Sequence, residues 1–228
     1  MALGIDCKKH STFHHLGSLG RRLKSRYHWT DSIGDLQQAI VYETQALAAT
    51  PIGDFSRARR FNDLGSSLGS RYGRTDSVGD FEQAITCIQE VIRLTPSDHP
   101  NQAEQFYNLA NSFGDRYRRT GIRDDRGKQI GLFEKALQSP ASRPSSRIIS
   151  GKAIFQHLYQ NRNWERAAKI AQIMFDLLPH LCGRYLRRDD LQYALIQVPG
   201  FAAEACSVLL KLNKPHKALQ IYSVARSS

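Results

Sequence analysis

A block of 24 residues near the N-terminus of this 228-residue chain returns 45 positions later, which constrains the fold more than any other feature. The matching segments are Arg26-Tyr27 and Arg71-Tyr72, Thr30-Asp31-Ser32 and Thr75-Asp76-Ser77, and Gly34-Asp35 and Gly79-Asp80. A weaker third copy keeps the same offset in Leu109, Phe113, Arg116-Tyr117, Thr120 and Asp125. Spacing of this size indicates stacked supersecondary units, each burying its apolar face on its neighbours.

The apolar residues of the second copy predict two helices in each repeat. One helical stripe contains Phe61, Leu64, Leu68 and Tyr72, and a second contains Phe81, Ala84, Ile85, Ile88, Val91 and Ile92. The segment 73–79, with a glycine at each end, is predicted to be the turn between them. Asp80 and Gln83 resemble a capping box at the start of the second helix, as do Asp35 and Gln38. The repeat unit is therefore predicted to be a helical hairpin.

Small residues recur in register where two helices must approach closely. Gly20, Gly65 and Ala110 share one position of the first helix, and Ala39 and Ala84 share one of the second. Arg26, Arg71 and Arg116 also recur, as do the aspartates at 35, 80 and 125 at the helix starts. We interpret these aspartates as structural rather than catalytic, and we hypothesise that the arginines pair with them across the hairpin.

These residues resemble the tetratricopeptide repeat. The positions that match its pattern are Phe61, Leu64-Gly65, Leu68, Ala84, Ile88, Val91 and Pro96. The 45-residue period exceeds the usual 34 by almost three helical turns, so both helices can lengthen while their buried faces stay in phase. The resemblance implies an all-α fold, a right-handed array of antiparallel helical hairpins.

The C-terminal half departs from the long repeat. A Ser/Pro-rich break at 139–147 is expected to be sensitive to proteases, and a hairpin of ordinary length is expected at 148–181. A short basic helix near Arg188 to Ile196 and a terminal hairpin complete 182–228. The residues of this hairpin that are expected to face inward are Phe201, Ala205, Leu209, Ala218, Leu219 and Tyr222. The three long repeats occupy 16–138, after an N-terminal remnant at 1–15. The order of the C-terminal segments, above all Trp164 to Pro179 and Arg187 to Arg226, resembles fungal repeat proteins that carry a following CHAT domain, which is caspase-like.

The basic charge of the chain has three explanations: a solvated face or internal ion pairs, an acidic protein partner, and nucleic acid. The net charge is +11 and the pI is about 9.7, which raises the question of acidic proteins or nucleic acids. Dense basic runs with an interleaved tyrosine occur at 116–119 and 184–188, and many other arginines are dispersed. A solvated helix face or internal ion pairs explain these charges best, so nucleic acid is an unlikely partner. No apolar stretch suggests a membrane span or a signal peptide, and a cytoplasmic location is expected.

We interpret the sequence as containing no catalytic, metal or cofactor site. Cys7, Cys87, Cys182 and Cys206 lie far apart and are interpreted as reduced, mostly buried thiols. Adjacent His14 and His15 point about 100° apart on a helix, which is poor geometry for a shared metal. The phosphate-binding and zinc-hydrolase patterns are missing. We therefore expect no enzyme activity, no cofactor and no metal site.

The predicted function is a protein-interaction scaffold that binds a partner segment on its concave face. Repeat registration places seven contact residues there, on the first helices of repeats two and three: Arg59, Asn62, Ser66, Glu104, Tyr107, Asn108 and Asn111. Tyr107 is predicted to be the anchor, exposed beside a Phe106 that faces the core. The carboxylate clamp of related repeat domains is not expected, because Ile149 and Ala153 occupy its positions.

Two alternative functions remain open. The resemblance to CHAT-associated proteins implies a regulatory repeat segment of a caspase-like protease whose catalytic residues are missing from this sequence. The basic surface suggests nucleic-acid binding as a second alternative. We also expect self-association through uncapped ends of the array, since such arrays usually need polar capping helices.

Overall fold

The computed structural model describes residues 4–181 and 188–227, and the side chains of residues 13–180 and 200–223. All the regular structure in these ranges is helical. The chain divides into two compact units, Met1–Pro96 and Ser97–Ser228, which are described separately.

The first unit consists of two helical hairpins. Its helices are α1 (Gly4–Thr30), α2 (Ile33–Ala49), α3 (Arg57–Thr75) and α4 (Val78–Leu94). Each hairpin packs its own two helices together, and α3 also contacts α1 and α2. Ile40, Leu64, Leu68, Ala84 and Cys87 form the apolar centre. The residues predicted as an N-terminal remnant differ from expectation, because α1 begins at Gly4 and Phe13 on it is buried.

The second unit has three further helical hairpins. Its helices are α5 (Gln102–Thr120), α6 (Arg123–Gln138), α7 (Pro144–Gln160), α8 (Trp164–Leu177), α9 (Arg188–Lys211) and α10 (Pro215–Ser227), with a short 3-10 helix at Leu178–Leu181. Aromatic rings from α7, α8 and α9 meet at its centre. The Phe155 ring lies 4.8 Å from Phe201, which stacks on Phe175 at 5.4 Å between ring centroids. These three side chains are almost fully buried and hold α7, α8 and α9 together.

The turn inside each long repeat is shorter than the sequence suggested. The predicted turn at 73–79 was too long, since α3 runs through Gly73 to Thr75 and α4 begins at Val78. Asp31, Asp76 and Gly121 occupy equivalent positions in the left-handed region, and each backbone N–H donates to the carbonyl of the tyrosine four residues earlier. The 11 extra residues of the repeat therefore lengthen the helices, which reach 17 and 19 residues in the second repeat.

The helix caps also differ from the predicted ones. Ser32 and Ser77 are the N-caps of α2 and α4, and their hydroxyls accept from the backbone N–H of Asp35 and Asp80 at 3.4 Å. The aspartates thus lie three residues inside the cap rather than on it, where their charge still favours the helix N-terminus. This position leaves their carboxylates free to pair with another group.

The hypothesised arginine–aspartate pairs are confirmed in all three long repeats. Arg71 donates from Nε and Nη2 to the two oxygens of Asp80 at 2.6 and 2.5 Å, and Arg26 does the same to Asp35 at 2.5 and 2.6 Å. Arg116 and Asp125 form the same fork at 2.7 and 2.8 Å. A bidentate, charge-assisted pair joins the end of one helix to the start of the next. The side-chain exposure of the aspartate falls from 13% to 7% to 1% along the three repeats.

The small residues lie at close helix contacts, as the repeat predicted. A Cβ atom added to Gly65 would lie 2.9 Å from Cβ of Cys87, and one added to Gly20 would lie 2.6 Å from Cγ of Glu43. Ala39 and Ala110 are fully buried. The helices of these hairpins therefore pack at distances that exclude larger side chains.

The Ser/Pro-rich segment is partly buried and shorter than predicted. Helix α7 begins at Pro144, and Ser139, Ser142 and Ser145 are each less than a tenth exposed. The Ser142 hydroxyl accepts a hydrogen bond at 3.0 Å from the backbone N–H of Ala103 at the start of α5. The serines of this segment therefore belong to the packing of the second unit.

The last helices correct two expectations. The predicted short basic helix and the first helix of the terminal hairpin form one helix, α9, which continues through Pro199 although proline lacks the backbone donor. Ala218 and Ile221 on α10 are buried, whereas Leu219 and Tyr222, expected to face inward, are 66% and 54% exposed. The inward stripe of α10 thus lies one residue away from the predicted one. Self-association through the ends of the array stays a prediction.

We expect limited proteolysis with subtilisin to cut first within 96–100 rather than within 139–146. Residues 96–100 are exposed, carry little regular structure and lie at the boundary between the two units. Mass spectrometry of the first fragments measures this outcome, because cleavage concentrates in exposed loops. A dominant first cut between Ser139 and Ser146 would contradict this prediction and show that the Ser/Pro-rich segment is the more protease-sensitive one.

Candidate interaction surface

The predicted contact residues of the first unit lie on one stripe of α3. Arg59, Asn62 and Ser66 are all exposed and are spaced by about one helical turn. Arg59 and Asn62 form no side-chain hydrogen bond or ion pair within the described ranges. The Ser66 hydroxyl accepts a short hydrogen bond from Nζ of Lys24 on α1. This stripe is therefore polar and largely free to make contacts.

A layer of buried charge lies next to this stripe, between α1 and α3. Arg60 is only 2% exposed, and its Nη2 lies 3.2 Å from Nδ1 of His14 while its guanidinium lies 5.8 Å from the centre of the Phe13 ring. Its Nε and Nη1 are buried with no hydrogen-bond partner in the described part of the chain. Arg21 donates to Asp63 at 3.0 Å. Gly17 makes room for the arginine, since an added Cβ there would lie 2.0 Å from Nη1 of Arg60.

Glu43 on α2 is a buried acid that lies against Gly20 of α1, and sequence reasoning missed it. It is 1% exposed, and both carboxylate oxygens are buried without a hydrogen-bond partner among the described residues, as is the hydroxyl of nearby Ser67. Burial raises the pKa of Glu43 to about 7, against the charges of Lys24 and Arg21, which lower it. Burial also lowers the pKa of Lys24.

The sequence did contain a signal for Glu43. Registration at the 45-residue period aligns Glu43 with Ile88 of the second repeat and Phe133 of the third. A charged residue at a position otherwise filled by large apolar side chains predicts either an exposed site or a buried ionisable group. The structure shows the second of these.

The predicted contact residues of the second unit lie on α5 and are less uniform. Glu104 and Asn108 are exposed, whereas Asn111 and Tyr107 are half-buried. The Tyr107 ring packs against the core, with its centre 5.5 Å from the centre of the buried Phe133 ring. Tyr107 is therefore not the fully exposed aromatic that the register predicted. One face of its ring is a packing surface.

The seven predicted residues thus fall into two groups, three on α3 and four on α5, which belong to different units. Glu104, Asn108 and Asn111 form no side-chain hydrogen bond or ion pair in the described ranges. Asn111 also lines a cavity of about 220 Å³ between α5, α6 and α7. Arg126 and His157 line the same cavity, and sequence reasoning did not single them out.

The described residues hold no cluster of three or more potential metal ligands. Burial raises the pKa of the Cys87 thiol to about 11, as expected for an unreactive buried cysteine, and burial also raises that of half-buried Cys206. Cys7, Cys182 and the basic run 184–188 lie outside the residues whose side chains are described. In the other basic run, Arg116 pairs with Asp125 and Arg118 with Asp115. Across the described residues, no helix is long and apolar enough to cross a membrane.

Comparison with known proteins shows the fold. No protein-family model and no curated protein matches this chain. Among solved structures, the chain is similar to the TPR-like repeats of a kinesin-light-chain protein from Podospora anserina, with a TM-score of 0.50 and 15% identity, over 94% of this chain and 93% of that one. It is also similar to BtubC (BKLC) from P. vanneervenii, with a TM-score of 0.53 and 12% identity, over 96% of this chain and 90% of that one.

These similarities confirm the predicted fold class. The chain is an all-α helical repeat protein of the tetratricopeptide-like type. At 12–15% identity the likeness concerns the fold alone. Function has to be argued from the side chains.

Proposed function

We propose that the chain is a non-catalytic scaffold in which α3 of the first unit and α5 of the second each present a polar face that binds an extended segment of a partner protein. One observation carries the proposal: five of the seven predicted contact residues, Arg59, Asn62, Glu104, Asn108 and Asn111, have polar side chains with no partner within the described ranges. The arginines and aspartates that recur in every repeat, by contrast, are paired with each other.

The composition of these faces favours recognition of a peptide backbone. Asparagine offers two donors and one acceptor, which match the alternating groups of an extended chain. Tyr107 adds an apolar ring that is already fixed against Phe133, so its ordering costs little on binding. Helical-repeat scaffolds use the surface of their first helices in this way.

Peptide selection tests the proposal directly. We would select binders from a random 12-residue peptide library on the full chain and measure their affinity by calorimetry. The Tyr107→Ala variant should bind the selected peptides more weakly by about 1–3 kcal/mol, the range expected for an interface anchor. Because Tyr107 also packs on Phe133, this variant should also lose some stability.

Two further variants separate binding from folding. Tyr42→Ala removes a half-buried tyrosine of α2, away from the proposed faces, and should leave affinity unchanged. Asn62→Ala removes an exposed, unpartnered side chain of α3 and should reduce affinity without altering thermal stability. Failure to select any peptide, or equal affinity of all variants, would contradict the scaffold proposal.

The resemblance to CHAT-associated repeats supports a second proposal, in which this array regulates a caspase-like protease. The segment that carries the resemblance, Trp164 to Pro179, forms α8 and the turn after it, and packs against α7. Sequencing the transcript on either side of this region tests the idea, which requires a downstream reading frame with a catalytic His and Cys pair. A nucleic-acid function has less support, since Arg116 and Arg118 are paired.

A further inference from the structure

The cavity between α5, α6 and α7 of the second unit has a chemical character that the repeat pattern does not explain. Its volume is about 220 Å³, which is large enough for one amino-acid side chain and some solvent. Asn111 comes from α5, Arg126 and Gln129 from α6, and Gln156, His157 and Gln160 from α7. No residue lining the cavity is acidic. Its lining therefore offers hydrogen-bond donors and one full positive charge.

Arg126 supplies that charge and is held by neutral groups only. Its Nη1 donates to Oε1 of Gln129 at 2.7 Å, and its Nη2 donates to Nδ1 of His157 at 2.8 Å. Its guanidinium lies 5.8 Å from the centre of the Tyr117 ring. A guanidinium has five N–H donors, so these two bonds leave three for a ligand. The charge of Arg126 has no carboxylate partner among the described residues.

The groups that hold Arg126 are themselves fixed. Gln129 is buried against α5, where a Cβ added to Gly114 would lie 2.1 Å from its Nε2. Arginine can only donate, so Nδ1 of His157 must accept and the ring must be neutral. Burial lowers the pKa of His157, and Arg126 and Arg166 lower it further. The guanidinium is therefore oriented before any ligand arrives, which reduces the entropic cost of binding.

Three side-chain amides around the cavity are available to bind a ligand. The side chains of Asn111, Gln156 and Gln160 form no hydrogen bond within the described ranges. A single planar cation flanked by neutral amide donors matches a planar monoanion. A phosphate dianion usually requires more positive charge, and the neighbouring Arg166 is already paired with Glu134 at 2.5 Å.

We propose that this cavity binds the carboxylate of an aspartate or glutamate side chain in an acidic partner segment. Arg126 provides the charge-assisted hydrogen bonds, and the amides of Asn111, Gln156 and Gln160 complete the shell. This inference rests on the proposed scaffold function and names the chemistry of the partner. Asn111 belongs both to the cavity and to the α5 face, so a segment lying on that face can place an acidic side chain in the cavity.

The test uses a minimal probe, N-acetyl-glutamate N-methylamide, titrated into the full chain labelled with ¹⁵N. We expect saturable shifts of the Arg126 Nε–H and Asn111 side-chain amide resonances in NMR spectra. The matched glutamine probe should produce no saturable shift. The Arg126→Gln variant should bind the glutamate probe about tenfold more weakly or worse, the loss expected for a charge-assisted hydrogen bond.

The controls use the same helix and the same change of charge. Arg123→Gln removes an exposed arginine at the start of α6 and should leave the probe affinity unchanged. Arg126→Lys keeps the positive charge but lacks the planar N–H donors of the guanidinium, so it should retain part of the affinity for the glutamate probe. Circular dichroism of each variant shows whether it is folded, and wild-type titration with the glutamine probe tests the charge requirement without any substitution.

Three results with the small probes would overturn the proposal. They are equal binding of the glutamate and glutamine probes, unchanged glutamate binding in Arg126→Gln, and tighter binding of N-acetyl-phosphoserine N-methylamide titrated in the same way. The last result would make the cavity a phosphate site. Selection of peptides that bind the chain without an acidic residue would also overturn it, while leaving the scaffold function intact. Failure of peptide selection together with saturable binding of the glutamate probe would reject the scaffold function and support carboxylate binding in the cavity.

Discussion

The Asp125→Ala variant should lose about 3 kcal/mol of unfolding free energy at neutral pH, near the lower end of the cost of removing one partner from a buried ion pair. Asp125 is 1% exposed in its side chain and accepts both bonds of the Arg116 fork. Its removal leaves a guanidinium, itself only 19% exposed, without its bidentate partner. Urea denaturation followed by circular dichroism measures the loss, read from the transition of the second unit.

The first repeat offers a matched control. Asp35 forms the same fork with Arg26, but the arginine side chain is 61% exposed and water screens the pair. Asp35→Ala should therefore cost much less than Asp125→Ala. Equal losses of unfolding free energy in the two variants would show that the bidentate geometry alone sets the contribution of the pair and that burial does not increase it.

The pH dependence of this pair has a definite sign. The hydrogen bonds from Arg116 lower the pKa of Asp125, so the stabilisation is present above its ordinary value of 3.8 and disappears as the pH falls further. The difference in unfolding free energy between wild type and Asp125→Ala should therefore become smaller as the pH falls below 3.8. A difference that stays constant through acid pH would point to lost packing as its origin.

The Glu43→Gln variant should be more stable than the wild type at pH 8, by roughly 3 kcal/mol. Burial raises the pKa of Glu43 from 4.5 to about 7, and each pKa unit corresponds to about 1.4 kcal/mol. The folded state therefore binds the proton more tightly than the unfolded chain. Its contribution to stability is complete below about pH 4.5 and is lost as the pH rises to about 7.

Urea denaturation at pH 5 and pH 8 measures this effect in the first unit. The wild type should lose stability between these two values, whereas Glu43→Gln should lose much less. Lys24 and Arg21 on α1 and Asp63 on α3 face the same carboxyl group and are retained in the variant. Parallel pH profiles for the two proteins would show that Glu43 is ionised without penalty.

Glu90 provides a control of opposite sign on α4 of the same unit. Its hydrogen bonds with Arg93 lower its pKa, so ionised Glu90 stabilises the fold above the ordinary value of 4.5. Glu90→Gln should therefore not stabilise the protein at pH 8. Stabilisation by both substitutions would indicate a general effect of net charge rather than burial of Glu43.

The comparison of repeats explains why the two acids behave differently. Asp125 lies at a position that is aspartate in all three long repeats and always faces an arginine nine residues earlier. Glu43 lies where the other repeats have Ile88 and Phe133, and no cation pairs with it directly. Asp125 makes the ion pair that recurs in every long repeat. Glu43 replaces an apolar residue of the repeat, and its effect on the free energy of unfolding depends on pH.

The sequence alone determined the repeat, its helical hairpins and the pairing of arginine with aspartate. These features follow from periodicity, because every copy must make the same local contacts and any position that serves them recurs at the 45-residue spacing. The close-packed Gly65 and the buried Leu64 and Leu68 were predictable for the same reason.

Only the tertiary structure decided the features that differ between copies. Periodicity marks Glu43 as a departure from the repeat but does not decide whether it is buried. It gives no information about the packing of Tyr107 on Phe133 or about the cavity that holds Arg126 beside a neutral His157. Each depends on which side chain the neighbouring helix presents at that point, and this side chain differs from one repeat to the next. The continuous helix through Pro199 shows the same limit, since tertiary context can outweigh a local helix-breaking signal.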